Sequence, residues 1–295
     1  MRVFVTGASG WIGSAVTAEL LATGHQVVGL ARSDASAAAI SAAGAEVARG
    51  SITELDSLRA AAEGAEGIIH TAFVHDFTAH NEAAAIDLAA VQLFGDLLEG
   101  SGRPIVIASG LLGGMASETD LPDPATAWSP RALTEATLLG FSERGIRSSV
   151  VRLGASVHGD GDHGFIKALV EIDRAKGSAG YVGDGSARWP AVHRFDAAKL
   201  FRIGLEDAPA NTVLHAVGDE GVSMREIAEV IGRRLDVPTV SIAPEDAADH
   251  FGWLGAFLSM DSPASSAITQ QRFGWEPTHP GLIEDLELGH YFTQA

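Results

Sequence analysis

The feature that most constrains this chain lies in its first thirteen residues. Arg2–Val5 is a short apolar run. Thr6-Gly7-Ala8-Ser9-Gly10-Trp11-Ile12-Gly13 follows it directly and leads into a helical pattern that lasts to Ala22. A strand that turns through glycines into a helix aims unpaired backbone N–H groups, and the positive end of the helix dipole, at whatever lies above the turn. Gly7 permits the tight turn, Gly10 lets a pyrophosphate approach the backbone, and Gly13 lets the helix pack on the strand. A dinucleotide site is therefore expected on Gly7, Ser9, Gly10, Trp11, Ile12 and Gly13.

The rest of the chain agrees with that start. Strand patterns at Gln26–Leu30, Glu46–Arg49, Gly67–His70, Pro104–Ala108 and Arg147–Arg152 alternate with helical ones at about Ser36–Ala43, Ala79–Leu98 and Pro130–Arg144. Thr53-Glu54-Leu55-Asp56 reads as a helix start with Thr53 as its cap. Strands this apolar, separated by helices, imply an α/β fold with a parallel sheet covered on both faces, a doubly wound Rossmann-type sheet. After Leu153 the rhythm breaks into turn clusters at residues 159–164 and 183–185 and short elements interrupted by prolines. The expected organisation is a Rossmann domain over 1–153, with 190–217 returning to it. A smaller substrate-binding lobe is expected over 154–189 and 218–295.

Charge narrows the partners. The 295 residues carry 38 acidic and 20 basic side chains, a formal net charge of -18, which repels polyphosphate and anionic membrane surfaces alike. No nucleic acid and no membrane is expected as a partner. There is no cysteine, hence no disulfide, thiolate metal site or thiol nucleophile. No apolar run reaches the ~18 residues of a membrane helix, and the first residues read as a strand and not as a signal peptide. A cytoplasmic location is the expectation.

The spacing Gly-x-x-Gly-x-x-Gly, with four further segments, resembles the short-chain dehydrogenase/reductase superfamily, and more closely its extended, epimerase/dehydratase-like branch. Ile68-Ile69-His70-Thr71-Ala72 resembles that branch's fourth-strand motif. Val151-Arg152-Leu153 with Val157-His158-Gly159 resembles the segment after its sheet, Val192-His193-Arg194-Phe195-Asp196 its "Val-His-Val-Asp-Asp" segment, and Phe273-Gly274-Trp275-Glu276-Pro277 its C-terminal motif. The resemblance implies NAD or NADP on the sheet domain, with Thr71 and Ala72 at the cofactor, and substrate in the lobe. The end of the second strand reads Gly29-Leu30-Ala31-Arg32-Ser33, with a planar cation and a hydroxyl and no acid before Arg32. That pattern suits the 2′-phosphate of NADP.

The superfamily's Tyr-x-x-x-Lys pair has no match here. Aligned on Glu135, the Lys slot holds Arg131 and the Tyr slot holds Ala127; the chain's two tyrosines, Tyr181 and Tyr291, and its lysines, Lys167, Lys176 and Lys199, lie elsewhere. Ser109 matches the family's serine. Arg131 can hold the nicotinamide ribose but keeps its proton too tightly to be a general acid. Proton donors are sought among His158, His163, Tyr181 and His193. The catalytic candidates are Ser109, Arg131, His158 and Tyr181, with Trp128 and Trp189 as walls of a small apolar pocket. Arg188 stands where the branch carries a substrate-facing arginine. Asp160, Asp162 and His163 fit no metal-ligand spacing, so no metal is expected. These residues imply an NADP-dependent oxidoreductase acting on a small carbonyl or imine. Two other readings stay open: a non-catalytic NADP sensor, and a sugar-nucleotide epimerase or dehydratase. A homodimer through the helices near 79–98 and 130–144 would use Ala83, Ala84, Ala85, Leu88, Leu93 and Phe94.

Overall fold

A computed structural model of the chain describes residues 1–74, 80–111, 113–123 and 131–293. In chain order the elements are β1 (Arg2–Thr6), α1 (Trp11–Ala22), β2 (Gln26–Ala31), α2 (Asp34–Ala42), β3 (Glu46–Arg49), α3 (Leu55–Ala62), β4 (Gly67–His70), α4 (His80–Leu98), β5 (Pro104–Gly110), α5 (Arg131–Leu139), β6 (Arg147–Leu153), β7 (Ser156–His158), α6 (Phe165–Lys176), β8 (Ala179–Val182), β9 (Arg188–His193), α7 (Arg194–Glu206), β10 (Thr212–Ala216), β11 (Asp219–Ser223), α8 (Met224–Leu235) and β12 (Thr239–Ile242). Short helical turns complete the C-terminal part.

Seven parallel strands form one sheet in the order β10-β6-β5-β4-β1-β2-β3. Successive side chains on each strand face opposite sides, and both sides are covered. Val3, Val5, Ile69, Val106 and Val151 pack with residues of α1 and α7 on one face. Phe4, Ile68, Ile105, Ile107 and Val150 pack with residues of α3, α4 and α5 on the other. Double coverage is why these strands read as continuous apolar runs. Strand order reverses between β1 and β4, so the crevice beyond Thr6 and His70 is the switch point where such sheets take their ligand.

The remaining elements build the second unit. Strands β11, β9 and β7 form a small sheet, β12 pairs with β8, and α6 and α8 pack around Trp189 and Phe251. Helix α8 starts with Ser223 and Glu226 in a reciprocal capping box.

Three local expectations are corrected. Helix α3 is capped by Glu54 without a side-chain bond, because the Thr53 hydroxyl pairs with Ser51 instead. Helix α2 begins at Asp34, two residues early, because Ser33 and Ser36 form a capping box. Of the six residues offered for a dimer seam, Ala83, Ala84, Leu93 and Phe94 are buried within the chain's own core, and only Ala85 is fully exposed. Ala79, Ala127, Trp128 and Pro130 lie outside the described residues. Among the described residues no helix is long and apolar enough to cross a membrane.

Candidate cofactor and catalytic site

The loop between β1 and α1 has the shape its glycines predict. Gly7 takes φ +69°, and a Cβ there would stand 2.8 Å from both the Ala72 nitrogen and the Thr71 hydroxyl. A Cβ on Gly13 would lie 2.0 Å from the Gly7 carbonyl oxygen. Ser9 and Gly10 are exposed, and Trp11 and Ile12 half-buried. Gly10 caps α1 without any side-chain bond, and no acid sits in the first turn. An uncapped N-terminus at the switch point leaves donors for a pyrophosphate, so these residues fit a dinucleotide. Opposite the loop, the Thr71 hydroxyl donates to the Thr6 carbonyl at 2.8 Å, and the Ala72 N–H donates to the Thr6 hydroxyl at 3.2 Å.

At the end of β2, Arg32 is exposed and makes no hydrogen bond or ion pair with another described residue. Asp34, the nearest acid, is held by Arg49 at 2.6 Å. Ser33 differs from expectation: its hydroxyl accepts the Ser36 N–H at 3.2 Å and pairs with the Ser36 hydroxyl at 2.7 Å. It caps α2 before it can serve a ligand.

Ser109 and Arg131 come together at the far end of β5. The Ser109 hydroxyl has no hydrogen-bond partner among the described residues. Arg131, first residue of α5, donates from Nη2 to the Ala108 carbonyl at 2.7 Å, and its guanidinium lies 4.3 Å from the Phe73 ring. Its Nε faces Asp87 Oδ2 at 3.4 Å. The other Asp87 oxygen meets His70 Nε2 at 3.1 Å, and His70 Nδ1 meets the Thr6 hydroxyl at 2.7 Å. Asp87 is 1% exposed. Burial pushes its carboxyl up, but the His70 hydrogen bond and the Arg131 charge outweigh burial and hold it below the usual carboxylate range. One turn on, Glu135 takes both Nε and Nη2 of the fully buried Arg152, and Arg152 Nη1 meets His215 Nε2 at 3.2 Å.

The other candidates are engaged elsewhere. His158 is fully buried, with Nδ1 on Asp285 at 2.9 Å and its ring edge-on to His193. Tyr181 lies on β8 with its ring under the Arg225 guanidinium at 4.9 Å, a contact shared with neither Ser109 nor Arg131. Trp189 is 1% exposed inside the lobe's core and is no pocket wall. Arg188 forms a two-pronged pair with Asp261, both distances 3.0 Å. His163 sits edge-on to Trp11. Tyr291 donates to the buried Asp162 at 2.8 Å, and burial raises its phenol. Among the described residues His193, Asp196 and His279 bring ligand atoms within 4.8 Å of one another. The two rings stack face to face, 4.5 Å apart and 5° from parallel, and Asp196 also accepts Lys199 at 3.2 Å. Parallel rings do not converge on one ion, and the ammonium opposes one.

Sequence reasoning missed Asp87 and the clasp on Trp11. The Trp11 indole donates to the Val157 carbonyl at 2.7 Å, while Arg194 lies 3.9 Å over the ring and donates to Ser14 at 3.0 Å. Asp87 did leave a signal, an acid set between Ile86 and Leu88 in the mostly apolar middle of α4.

A glycine cradle at the switch point of a seven-stranded parallel sheet, with Ser109 and Arg131 at the same end of that sheet two strands away, fits a nicotinamide-dinucleotide-binding fold of the oxidoreductase type. Its fold is shared with solved epimerase and dehydratase structures, and the chain belongs to one family with uncharacterized yeast proteins that are 43–46% identical to it. The NAD(P)H-binding family matches residues 7–127. An uncharacterized protein of Schizosaccharomyces pombe is 46% identical over 300 residues, spanning 99% of this chain and all of that one. A 3-diazoavenalumate denitrifying reductase from a Streptomyces species is 28% identical over 97% of this chain and 99% of its own. The UDP-glucose 4-epimerase of Thermotoga maritima, solved with UDP-glucose, superposes with a TM-score of 0.79 at 18% identity, over 99% of this chain and 98% of that one.

Proposed function

We propose that this protein is an NADPH-dependent reductase of a small, unphosphorylated carbonyl or imine. The observation that carries the reading is that Arg131 is anchored on the Ala108 carbonyl, next to Ser109, at the end of β5, two strands from β1, the strand that leads into the glycine cradle. A bound nicotinamide supplies a hydride. Ser109 orients the acceptor through its unengaged hydroxyl, and Arg131 holds the ribose and offsets negative charge that develops on the acceptor. Neither tyrosine serves as the acid, since Tyr291 is bound to Asp162 and Tyr181 to Arg225. A protonated imine carries its own proton and asks least of such a site. The name of the Streptomyces reductase is in keeping with reductive chemistry. Against a sugar nucleotide stands Arg188, whose charge Asp261 neutralises, leaving little for a diphosphate.

NADPH over NADH rests on Arg32, which has no hydrogen-bond or ion-pair partner among the described residues, and on Asp34, which Arg49 engages. Fluorescence titration tests it: wild type binds NADPH more tightly than NADH, and Arg32→Ala weakens NADPH by roughly ten- to a hundredfold, the ~1.5–3 kcal/mol of a charge-assisted contact, with NADH little changed. Equal affinity for both cofactors in wild type overturns the preference. NADPH consumption is then followed against ketones, aldehydes and cyclic imines. Tight NADPH binding without turnover of any of them favours the sensor reading. A cytoplasmic location and a homodimer belong to the same proposal; for the dimer, Leu133 on α5 is 48% exposed and offers apolar surface.

A further inference from the structure

The cation in the lysine slot is the end of a buried chain that begins at the phosphate loop. Asp87, almost fully buried, is an anion that needs more than one partner to be tolerated. An ionised carboxylate only accepts, so His70 Nε2 carries the hydrogen between them. A neutral His70 then has a lone pair on Nδ1. The Thr6 hydroxyl supplies the hydrogen to it, having already accepted the Ala72 N–H. With the ring neutral, every bond in the chain has one consistent direction, from Ala72 to Thr6 to His70 to Asp87, with Arg131 donating from the other side. Asp87 and Arg131 cancel in charge. Arg131 has a second anchor in the carbonyl of Ala108, the residue before Ser109. A long side chain that would otherwise lose much rotamer freedom on binding is already held at the end of β5, on the residue next to Ser109 in the chain.

We infer that Asp87, braced by His70, is a positioning residue that holds Arg131 against the end of β5 in the orientation that meets the nicotinamide ribose. This rests on the reading of Arg131 as a ribose contact.

Asp87→Asn is the decisive variant. Its amide can accept from Arg131 and donate to His70, whose ring needs only to change tautomer, so the fold is retained while the charge is lost. NADPH and NADH are titrated by fluorescence against Asp87→Asn, Arg131→Ala and the double variant, with melting temperatures of the cofactor-free proteins as control. Each single variant is expected to weaken both cofactors about tenfold, since the nicotinamide ribose is common to both. The double variant is expected to bind no more weakly than Arg131→Ala alone, because Asp87 acts only through Arg131. Losses that multiply in the double variant, or wild-type affinity in Asp87→Asn, overturn the inference while leaving the reading of Arg131 intact. Wild-type affinity in Arg131→Ala overturns both. Should Asp87→Asn not fold, His70→Asn takes its place, with a smaller loss that again vanishes in the Arg131→Ala background; a loss that persists there counts against the inference.

Discussion

Two glycines of the phosphate loop serve different ends, and a single added methyl group separates them. A Cβ on Gly13 would overlap the Gly7 carbonyl at 2.0 Å, backbone that cannot step aside. A Cβ on Gly10 meets only the Gly7 oxygen, at 3.1 Å. Gly13→Ala is therefore expected to destabilise the protein by roughly 1–3 kcal/mol, as overpacking does, and to lose cofactor binding with it. Gly10→Ala is expected to leave the melting temperature nearly unchanged and still weaken both cofactors. Melting curves beside NADPH titrations check the pair. A stable, fully binding Gly10→Ala would mean that the pyrophosphate does not approach there.

Within the elements, helix α6 carries a liability of its own. Asp173 is buried, with Oδ1 accepting the Gly180 N–H at 3.1 Å and Oδ2 without a partner. Burial pushes its carboxyl up to about 7. The native state therefore holds this proton above the pH at which the unfolded chain releases it. Stability is lost as pH rises from about 4 towards 7 and then levels off. Asp173→Asn keeps the acceptor for Gly180 and removes the titration. It should gain about 1–4 kcal/mol near pH 7.5 and nothing near pH 4. Urea unfolding at both pH values measures this, and equal gains at both would show that Asp173 is not held protonated. No element is expected for this stretch from its sequence, and it is the contact with Gly180 on β8 that sets Asp173 in the interior.

A seam of histidines runs along the junction of β9 and α7. His193 ends β9 and caps α7 by accepting the Phe195 N–H at 3.3 Å; it stacks on His279, whose Nδ1 meets Asp196 at 2.9 Å. Burial, with the charges of His158 and His279 behind it, lowers His193 to about 4. The unfolded chain takes up the proton first, so the seam's stability is complete above about pH 6.5 and is lost as pH falls towards 4. His193→Asn retains a good helix cap without the titration. Its unfolding free energy is expected to fall less between pH 6.5 and 4 than that of wild type, by up to about 2 kcal/mol after allowing for solvent access. Parallel pH profiles for the two proteins would remove His193 as the source of acid lability.

Local chemistry was enough to read the alternation of strands and helices, the glycine turn after β1 and the cation at Arg32. Each depends on residues a few positions apart, where periodicity, φ preference and side-chain reach decide the outcome. Serine and arginine in the reaction slots, and the lack of a tyrosine and lysine there, were legible only through the resemblance to the superfamily. Tertiary structure decided the rest. It set Asp87 on Arg131, 44 residues away, and Trp11 on Val157, 146 residues away. It also buried His158 and Trp189, which from sequence stood as an acid and a pocket wall. A histidine or tryptophan reads the same in a core as at a site. The difference is made by which distant surfaces close over it, and that follows from how the two units pack.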